Sequence, residues 1–324
     1  MNEPYDFEKI FEKAEEQDKE EHFHYKNFKM GIELDIAGTF LYDGINSLRS
    51  MESFEVESEI FSFLYHISVG IERLQKIIIV LNEEIKDIKK FEESLKTHSH
   101  QSLHNRIKEN RKVDFNSRQN GFLSLVSDFY NNSRYNNYLV STAIDRDIKA
   151  INKFLDKHTE EIPNITYFGE NLDRRKETLG RVIGSIVKKY YSLIQKICSE
   201  KNIYTDEVRA DSKALQIFLR EYRKDSLITI SKEEGIAMKE LLIYLSNSEE
   251  NNDFMDFLRG IEPLGIDIAN IKGYLSSIIS GKVPQDLLYE IEELYSDEDI
   301  KEELKNRLEQ LEIIGNKYIT FYDE

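Results

Sequence analysis

The chain has 324 residues, which is enough for two domains or for one large helical domain. Its formal net charge of −17 favours solubility and argues against indiscriminate binding to polyanions, so any contact with nucleic acid must be local. The single cysteine, Cys198, excludes an internal disulfide and a cysteine-based zinc site, and no apolar signal segment opens the chain, which together predict a cytoplasmic protein.

Long amphipathic stretches without a helix breaker predict an all-α fold. The four prolines fall near the chain start or between periodic segments, where they do not interrupt a helix. Residues 1–30 begin as an acidic amphipathic helix and then become polar and aromatic, which predicts an N-terminal arm. Residues 31–51 follow as the first helix of a bundle.

The most apolar stretch, residues 58–81, is predicted to be the central helix of that bundle. Its apolar side chains recur at intervals of three and four residues, the spacing that stacks them on one face of an α-helix. A membrane span is disfavoured because Glu72, Arg73 and Lys76 interrupt the run, and charges at mid-bilayer are costly. The helix is predicted to continue, increasingly hydrated, to about Leu95.

Residues 96–118 reverse the acidic trend of the chain. They hold six Lys or Arg and three His against only two acids, Glu109 and Asp114. This stretch is therefore the best local positive patch, and it is the place where the sequence favours a contact with phosphate.

Beyond this patch the sequence predicts further helices and a domain boundary. Helices are predicted at residues 121–130 and 139–158, and a Pro-, Gly- and Asn-containing linker at residues 159–171. A bundle of residues 31–158 is thus followed by a C-terminal helical domain, residues 172–324.

The C-terminal domain shows helical periodicity at residues 179–198 and 208–222. Ser231 and Glu234 have the spacing of a capping box and predict the start of another helix. An apolar stripe runs along the last predicted helix, residues 298–318. Folding of this helix onto its own bundle is favoured over pairing with another chain.

The first polar pair with chemical potential is Glu72 and Lys76, one helical turn apart on the central helix. Held in a cleft, the two could position a phosphate or move protons. On an exposed surface they would form an ordinary ion pair that contributes about 0.2–0.5 kcal/mol. The sequence has no Gly-rich phosphate loop, nucleophile elbow, zinc-protease motif or paired cysteines that would indicate a common enzyme class.

Three histidines form the second group. On a helix, His100 and His104 would share a face and could bind a metal. No nearby carboxylate or Cys completes a ligand set, so neither a metal nor a cofactor is predicted. His98 and His104 remain candidate catalytic residues together with Glu72 and Lys76.

Basic and aromatic side chains form the third group. Guanidinium groups match phosphate oxygens, and aromatic rings interleaved with Arg can stack on bases. The same residues could instead form a hydrated basic surface and anchor a helix end. The candidate RNA or nucleotide contacts are Arg106, Arg111, Lys112, Arg118, Tyr130, Arg134 and Tyr135.

The order of these groups resembles HEPN domains, which are helical bundles of bacterial defence, toxin-antitoxin and nucleotide-related systems. In that family the second long helix carries a Glu and a Lys one turn apart, a Thr-His segment opens a short helix, and an aromatic-Arg-Tyr motif follows. The resemblance covers about residues 31–158. The corresponding residues here are Glu72 and Lys76, Thr97 and His98, and Tyr130, Arg134 and Tyr135.

Active HEPN ribonucleases also carry an Arg closely followed by a His, and this chain lacks that pair. The resemblance therefore implies a homodimeric RNA- or nucleotide-binding or interaction protein of a defence or stress system, without a membrane contact. One alternative is a divergent metal-independent ribonuclease in which Glu72, Lys76 and His98 or His104 replace the missing pair. A second alternative is a structural helical scaffold with a protein partner.

Overall fold

The protein is all-α, as the periodicity predicts. The computed structural model describes residues 22–133, 138, 145–160, 170–203, 212–219, 226–249, 252–296, 301–316 and 318–321. Within these residues it contains thirteen α-helices and no strand. The helices are α1 Met30–Ser50, α2 Glu57–Asn82, α3 Ile88–Ser94, α4 His100–Asn110, α5 Ser117–Asp128, α6 Arg146–His158, α7 Glu170–Lys201, α8 Lys213–Phe218, α9 Ile228–Asn247, α10 Asp253–Gly260, α11 Ile271–Ser280, α12 Gln285–Tyr295 and α13 Lys301–Ile313.

The chain divides into two compact units. The first ends at Ser231 and the second begins at Lys232. Helix α7, which begins at Glu170 within the predicted linker of residues 159–171, packs against α2, α5 and α6 and so belongs to the first unit. Residues 161–169 of that linker lie outside the described residues.

Helix α2 is the centre of the first unit, as its composition predicts. It contacts α1, α4, α5, α6 and α7, and α1 also packs against α8. The face spaced at three and four residues is buried, and so is every residue from Ile77 to Leu81. An apolar surface that surrounds the last turns is thus covered by helices on several sides.

The predicted continuation of the central helix to Leu95 is wrong. Helix α2 ends at Asn82, because Glu83 takes an extended conformation with ψ near 150°. The backbone carbonyl of Glu83 accepts a hydrogen bond from Lys26 Nζ at 2.9 Å, and its carboxylate binds a guanidinium of α4. Asp87 then starts α3 afresh by accepting a hydrogen bond from the amide of Lys90 at 3.1 Å.

The predicted capping box at Ser231 is also wrong, because α9 begins three residues earlier, at Ile228. Leu227, Ile228 and Ile230 are buried in the hydrophobic core of the first unit. The amide of Leu227 also donates a hydrogen bond to the carbonyl of Gly180 at 3.3 Å. This packing draws the residues before Ser231 into the helix, a tertiary effect that the local spacing does not contain.

Other predicted helices have corrected bounds. Helix α5 starts at Ser117, behind a capping box formed by Asn116 and Gln119, and it is followed by a short π-helix, Phe129–Ser133. Helix α7 is longer at both ends than predicted. The predicted helices at 139–158, 208–222 and 298–318 are described only in part, as α6, α8 and α13.

The second unit buries few apolar side chains. Tyr274 on α11 is the only buried apolar residue among the described residues of this unit. Its hydroxyl is hydrogen-bonded to the Glu290 carboxylate. On α9, the side chains of Ile236 and Ile243 are more than half exposed. None of the described helices combines the length and apolarity that a membrane crossing requires.

Candidate functional site

Glu72 is the buried centre of a polar cluster on α2. Its carboxylate accepts a hydrogen bond from Lys76 Nζ at 2.7 Å, so the residues one turn apart do pair. The same carboxylate lies 3.1 and 3.2 Å from Nδ1 of His98, which is 26 residues further along the chain. Lys76 and His98 therefore both contact the Glu72 carboxylate, which has little contact with water.

The segment between α3 and α4 brings His98 to Glu72. Thr97 Oγ1 accepts a hydrogen bond from the amide of Ser99, and the Ser99 hydroxyl caps α4 by accepting from Ser102 N. One residue further on, His100 Nε2 donates to the carbonyl of Ser68 on α2 at 2.8 Å. Burial lowers the pKa of His100, so this ring is neutral and serves as an anchor rather than as a second reactive histidine.

Tyr130 covers the other side of His98. It lies in the π-helix after α5, with its ring centroid 5.3 Å from that of His98 and 6.3 Å from that of Tyr65. Asn131 Nδ2 fixes the turn by donating to the carbonyl of Ser127 at 2.8 Å. We call Glu72, Lys76, His98 and Tyr130 the Glu72 cluster.

Two further residues of the predicted aromatic-Arg-Tyr motif, Arg134 and Tyr135, lie outside the described residues. The first member of the motif, Tyr130, comes next to His98, which in turn contacts the Glu72 carboxylate, although these residues are far apart in the chain. Three separate elements therefore contribute to the cluster: α2, the segment before α4, and the turn after α5.

The cluster has the geometry of a proton-transfer or anion site. A carboxylate only accepts hydrogen bonds, so Nδ1 of His98 must be the donor, and in the neutral ring Nε2 carries the lone pair. The side chains of His98 and Lys76 are 48% and 24% exposed. No hydrogen bond to His98 Nε2 occurs among the described residues, so in the neutral ring this atom still has a lone pair to offer an incoming ligand.

His104 does not join the Glu72 cluster. It is 2% exposed, and its Nδ1 accepts a hydrogen bond from the Tyr190 hydroxyl of α7 at 2.8 Å. Gln75 Nε2 donates to the same hydroxyl at 2.9 Å, and Phe115 stacks on the imidazole at 4.2 Å between ring centroids. Burial, followed by the charges of two nearby lysines, lowers the pKa of His104 to about 4. The ring is a neutral part of the core.

Two of the three arginines of the basic patch, Arg106 and Arg111, are held by acids from other elements. Arg106 donates two hydrogen bonds to the Glu83 carboxylate, from Nε to Oε1 at 2.8 Å and from Nη2 to Oε2. Arg111 donates to Asn82 Oδ1 at 2.6 Å and to Glu200 Oε2 at 2.7 Å. Their guanidinium groups thus fasten α4 and the loop after it to the ends of α2 and α7. Of the predicted basic contacts, Lys112 and Arg118 are exposed.

The sequence prediction missed a group of lysines on α7. Lys188, Lys189 and Lys196 line an open cavity of about 660 Å³ together with Lys112. Helical spacing could have revealed the lysines of α7 as a group, because residues 185, 188, 189, 192 and 196 share one side of a helix. The contribution of Lys112 could not be predicted in this way, because it lies more than 70 residues before these lysines in the sequence.

Comparison with known proteins gave no relative: no protein-family model, curated protein or solved structure matches the chain. Among the described residues, no group of three His, Cys, Asp or Glu side chains is placed to hold a metal ion. Cys198 is buried, and burial raises the pKa of its thiol to about 11, which is typical of an inert core thiol.

Proposed function

We propose that this chain is a HEPN-like, homodimeric RNA- or nucleotide-binding protein whose ligand contacts the Glu72 cluster. The observation that carries the proposal is the convergence of Glu72, Lys76, His98 and Tyr130 at one place, where the side chains of Lys76 and His98 remain partly exposed. These are the positions at which the chain resembles the family.

The cluster offers the groups that such a ligand needs. Lys76 supplies a positive charge for a phosphate oxygen, and His98 Nε2 can donate when the ring is protonated. The half-buried ring of Tyr130 gives a base a stacking surface, an interaction of about 1–3 kcal/mol per base. Glu72 holds Lys76 and His98 in place, which lowers the entropy cost of binding.

A second candidate function, metal-independent RNA cleavage, is favoured by the Glu72–His98 contact. In this reaction His98 Nε2 takes the proton of a ribose 2′-hydroxyl, whose oxygen attacks the adjacent phosphorus. The bond from phosphorus to the 5′ oxygen breaks, and that oxygen takes a proton from Lys76 or from water. Lys76 also stabilises the charge on the phosphorane. The missing Arg-His pair argues against this function.

The test is incubation of the purified protein with labelled cellular RNA at low salt and with a chelator, scoring retention and fragments together. We expect Lys76→Ala and Tyr130→Leu to weaken retention about tenfold, which corresponds to about 1.4 kcal/mol. Lys90→Ala is the matched control, because it removes the same charge from a side chain that is 87% exposed. Thermal denaturation of each variant separates lost binding from lost folding.

Three results distinguish the functions. Retention without fragments supports the binding protein. Fragments that disappear in His98→Asn but persist in Lys90→Ala support the ribonuclease. Absence of both retention and fragments contradicts both functions and leaves the scaffold.

The proposed homodimer has its own measurement. Sedimentation equilibrium at micromolar concentration should give twice the 38.2 kDa mass of the chain. A monomer mass across the concentration series would remove the dimer from the proposal.

A further inference from the structure

A groove rich in lysine lies between the loop that precedes α5 and one side of α7. Its floor includes Val113 and Leu193, both buried, and its walls carry the exposed Ser192 hydroxyl. We call it the lysine groove. Its four cations are Lys112, Lys188, Lys189 and Lys196. It shares no residue with the Glu72 cluster.

None of these four ammonium groups forms a salt bridge among the described residues, and three of them make no hydrogen bond there either. Lys189 is engaged, because its Nζ donates to the Gln119 side chain at 2.8 Å and to a backbone carbonyl of the loop. Lys112, Lys188 and Lys196 make no salt bridge within the part of the chain that the structure describes. Asp114 supplies the only carboxylate in the lining. The groove thus concentrates positive charge in a chain whose net charge is −17.

The four lysines differ from two neighbouring arginines of the basic patch, which are paired with acids. The neighbouring Arg106 and Arg111 are each matched by a carboxylate. Lys108 and Lys189 both lower the pKa of the adjacent buried His104, so the positive potential of this region extends into the core. Four lysines kept together without matching acids repel one another, and a bound anion would relieve that repulsion.

The shape of the groove indicates which anion it takes. Lys188 and Lys196 are eight residues apart on α7, which separates them by about 12 Å along the helix axis. A single phosphate can reach only one end of such a row. The groove is also open, so a chain can pass along it.

We propose that the lysine groove binds consecutive phosphates of single-stranded RNA, as a second contact beside the Glu72 cluster. This inference rests on the proposed function in so far as the ligand is RNA. The backbone lies along α7, where Lys188 and Lys196 neutralise phosphates and Lys112 closes the groove from the opposite wall. Strand binding by a row of cations is largely independent of sequence, so the groove adds affinity and leaves selectivity to the Glu72 cluster.

The experiment measures binding of labelled oligouridylate over a series of salt concentrations. The groove variant combines Lys112→Gln, Lys188→Gln and Lys196→Gln. The control variant combines Lys86→Gln, Lys90→Gln and Lys153→Gln, exposed lysines elsewhere on the first unit. Both variants remove three positive charges, from the groove in one and from exposed surface outside it in the other, where Lys86 and Lys90 each pair with an acid.

We expect the groove variant to bind at least tenfold more weakly at low salt. The slope of log K against log salt should fall by about 2, since each phosphate released from a single strand contributes about 0.7. The control variant should stay within about twofold of the wild type and keep its slope. Unchanged binding and slope in the groove variant overturn the inference.

Further arms separate the groove from the proposed function. If Tyr130→Leu loses RNA and the groove variant does not, the proposed function stands and the groove inference fails. The reverse result supports the groove and contradicts a role for the Glu72 cluster. A wild type that binds no RNA overturns both. Inorganic tripolyphosphate that displaces oligouridylate completely at equal phosphate concentration would overturn the assignment to a strand.

Discussion

Tyr190 is the centre of a buried hydrogen-bond network that links three helices of the first unit. Its hydroxyl accepts from Gln75 and donates to His104, so it joins α7 to α2 and α4. We expect Tyr190→Phe to lower the free energy of unfolding by about 1–3 kcal/mol, because a buried donor and a buried acceptor both lose their partner. Urea denaturation monitored by circular dichroism measures the change.

Tyr191→Phe is the matched control for that substitution. Tyr191 is also buried and stacks on Phe218, but its hydroxyl bonds to the exposed Gln195, which water can satisfy. Its loss should cost less than about 0.5 kcal/mol. Equal losses in the two variants would contradict the role assigned to the buried network.

The lowered pKa of His104 makes the stability of the protein depend on pH. The ring is neutral in the folded chain down to about pH 4, whereas the unfolded chain binds a proton near pH 6.5. The unfolded state therefore binds more protons between these values, so stability is present in full above about pH 6.5 and falls on acidification. The loss reaches about 3 kcal/mol by pH 4.

Urea denaturation between pH 7 and pH 4.5 checks this dependence, with His104→Asn as the comparison. The variant should be less stable at pH 7 but should lose less stability on acidification. It keeps some dependence, because burial lowers the pKa of His100 in the same direction. Parallel curves for the two proteins would show that His104 does not carry the effect.

At the scale of single residues, spacing in the sequence predicts only part of the Glu72 cluster and its surroundings. Glu72 and Lys76 are one turn apart, so any helix brings them together, and the resemblance added His98. The partners of His104 and Arg106 could not be predicted. Tyr190 and Glu83 come from other helices, and tertiary packing alone decides which polar groups meet.

At the scale of elements, hydrophobic periodicity predicted where helices lie better than where they end. The core of α2 follows directly from its apolar spacing. Its end at Asn82 depends on Glu83, whose backbone and side chain bind groups distant in sequence. The start of α9 depends likewise on packing of Ile228. Helix ends are set by such contacts, and a pattern of apolar residues does not encode them.

The packing of α1 on α8 depends on a glycine. A Cβ at Gly38 would lie 2.4 Å from Cβ and 2.5 Å from Cα of Ala214, so a helix would have to move. We expect Gly38→Ala to destabilise the protein by about 1–3 kcal/mol, as overpacking does. Differential scanning calorimetry should show the lower melting temperature.

The control for Gly38 is Gly121→Ala in α5. A Cβ there would meet nothing closer than 3.6 Å, an ordinary contact. Alanine favours the helix over glycine by about 1 kcal/mol, so this variant should match or exceed the wild type. If Gly38→Ala were equally well tolerated, the close approach of α1 and α8 would be disproved.

At the scale of the whole molecule, charge and apolar surface are divided unequally between the units. From Lys232 onward the chain has nine Lys and Arg against 22 Asp and Glu, a net charge of −13, which leaves −4 for the residues before it. The Glu72 cluster and the lysine groove both belong to the less acidic unit. An acidic unit would repel RNA, so we assign no RNA contact to it.

The unequal burial predicts unequal stability. Ordering a residue costs about 1–2 kcal/mol of backbone entropy, which burial of apolar surface must offset. Helix α2 buries apolar side chains from Ile60 to Leu81, whereas the described residues of the second unit bury only Tyr274 among apolar side chains. We therefore expect amides of α10 to α13 to exchange with deuterium at least about 100-fold faster than those of α2, a difference of about 2.7 kcal/mol in opening free energy.

Hydrogen exchange followed by mass spectrometry measures both regions in one sample, so the slow amides of α2 serve as the internal reference. Equal protection in the two regions would mean that a surface absent from the single chain covers the second unit. The exposed apolar side chains of α9 would then be the first place to seek it, because the −13 charge around them favours a basic, amphipathic partner over a second copy of the same acidic surface. Exchange that slows only after a basic amphipathic peptide is added would identify that surface as a docking site.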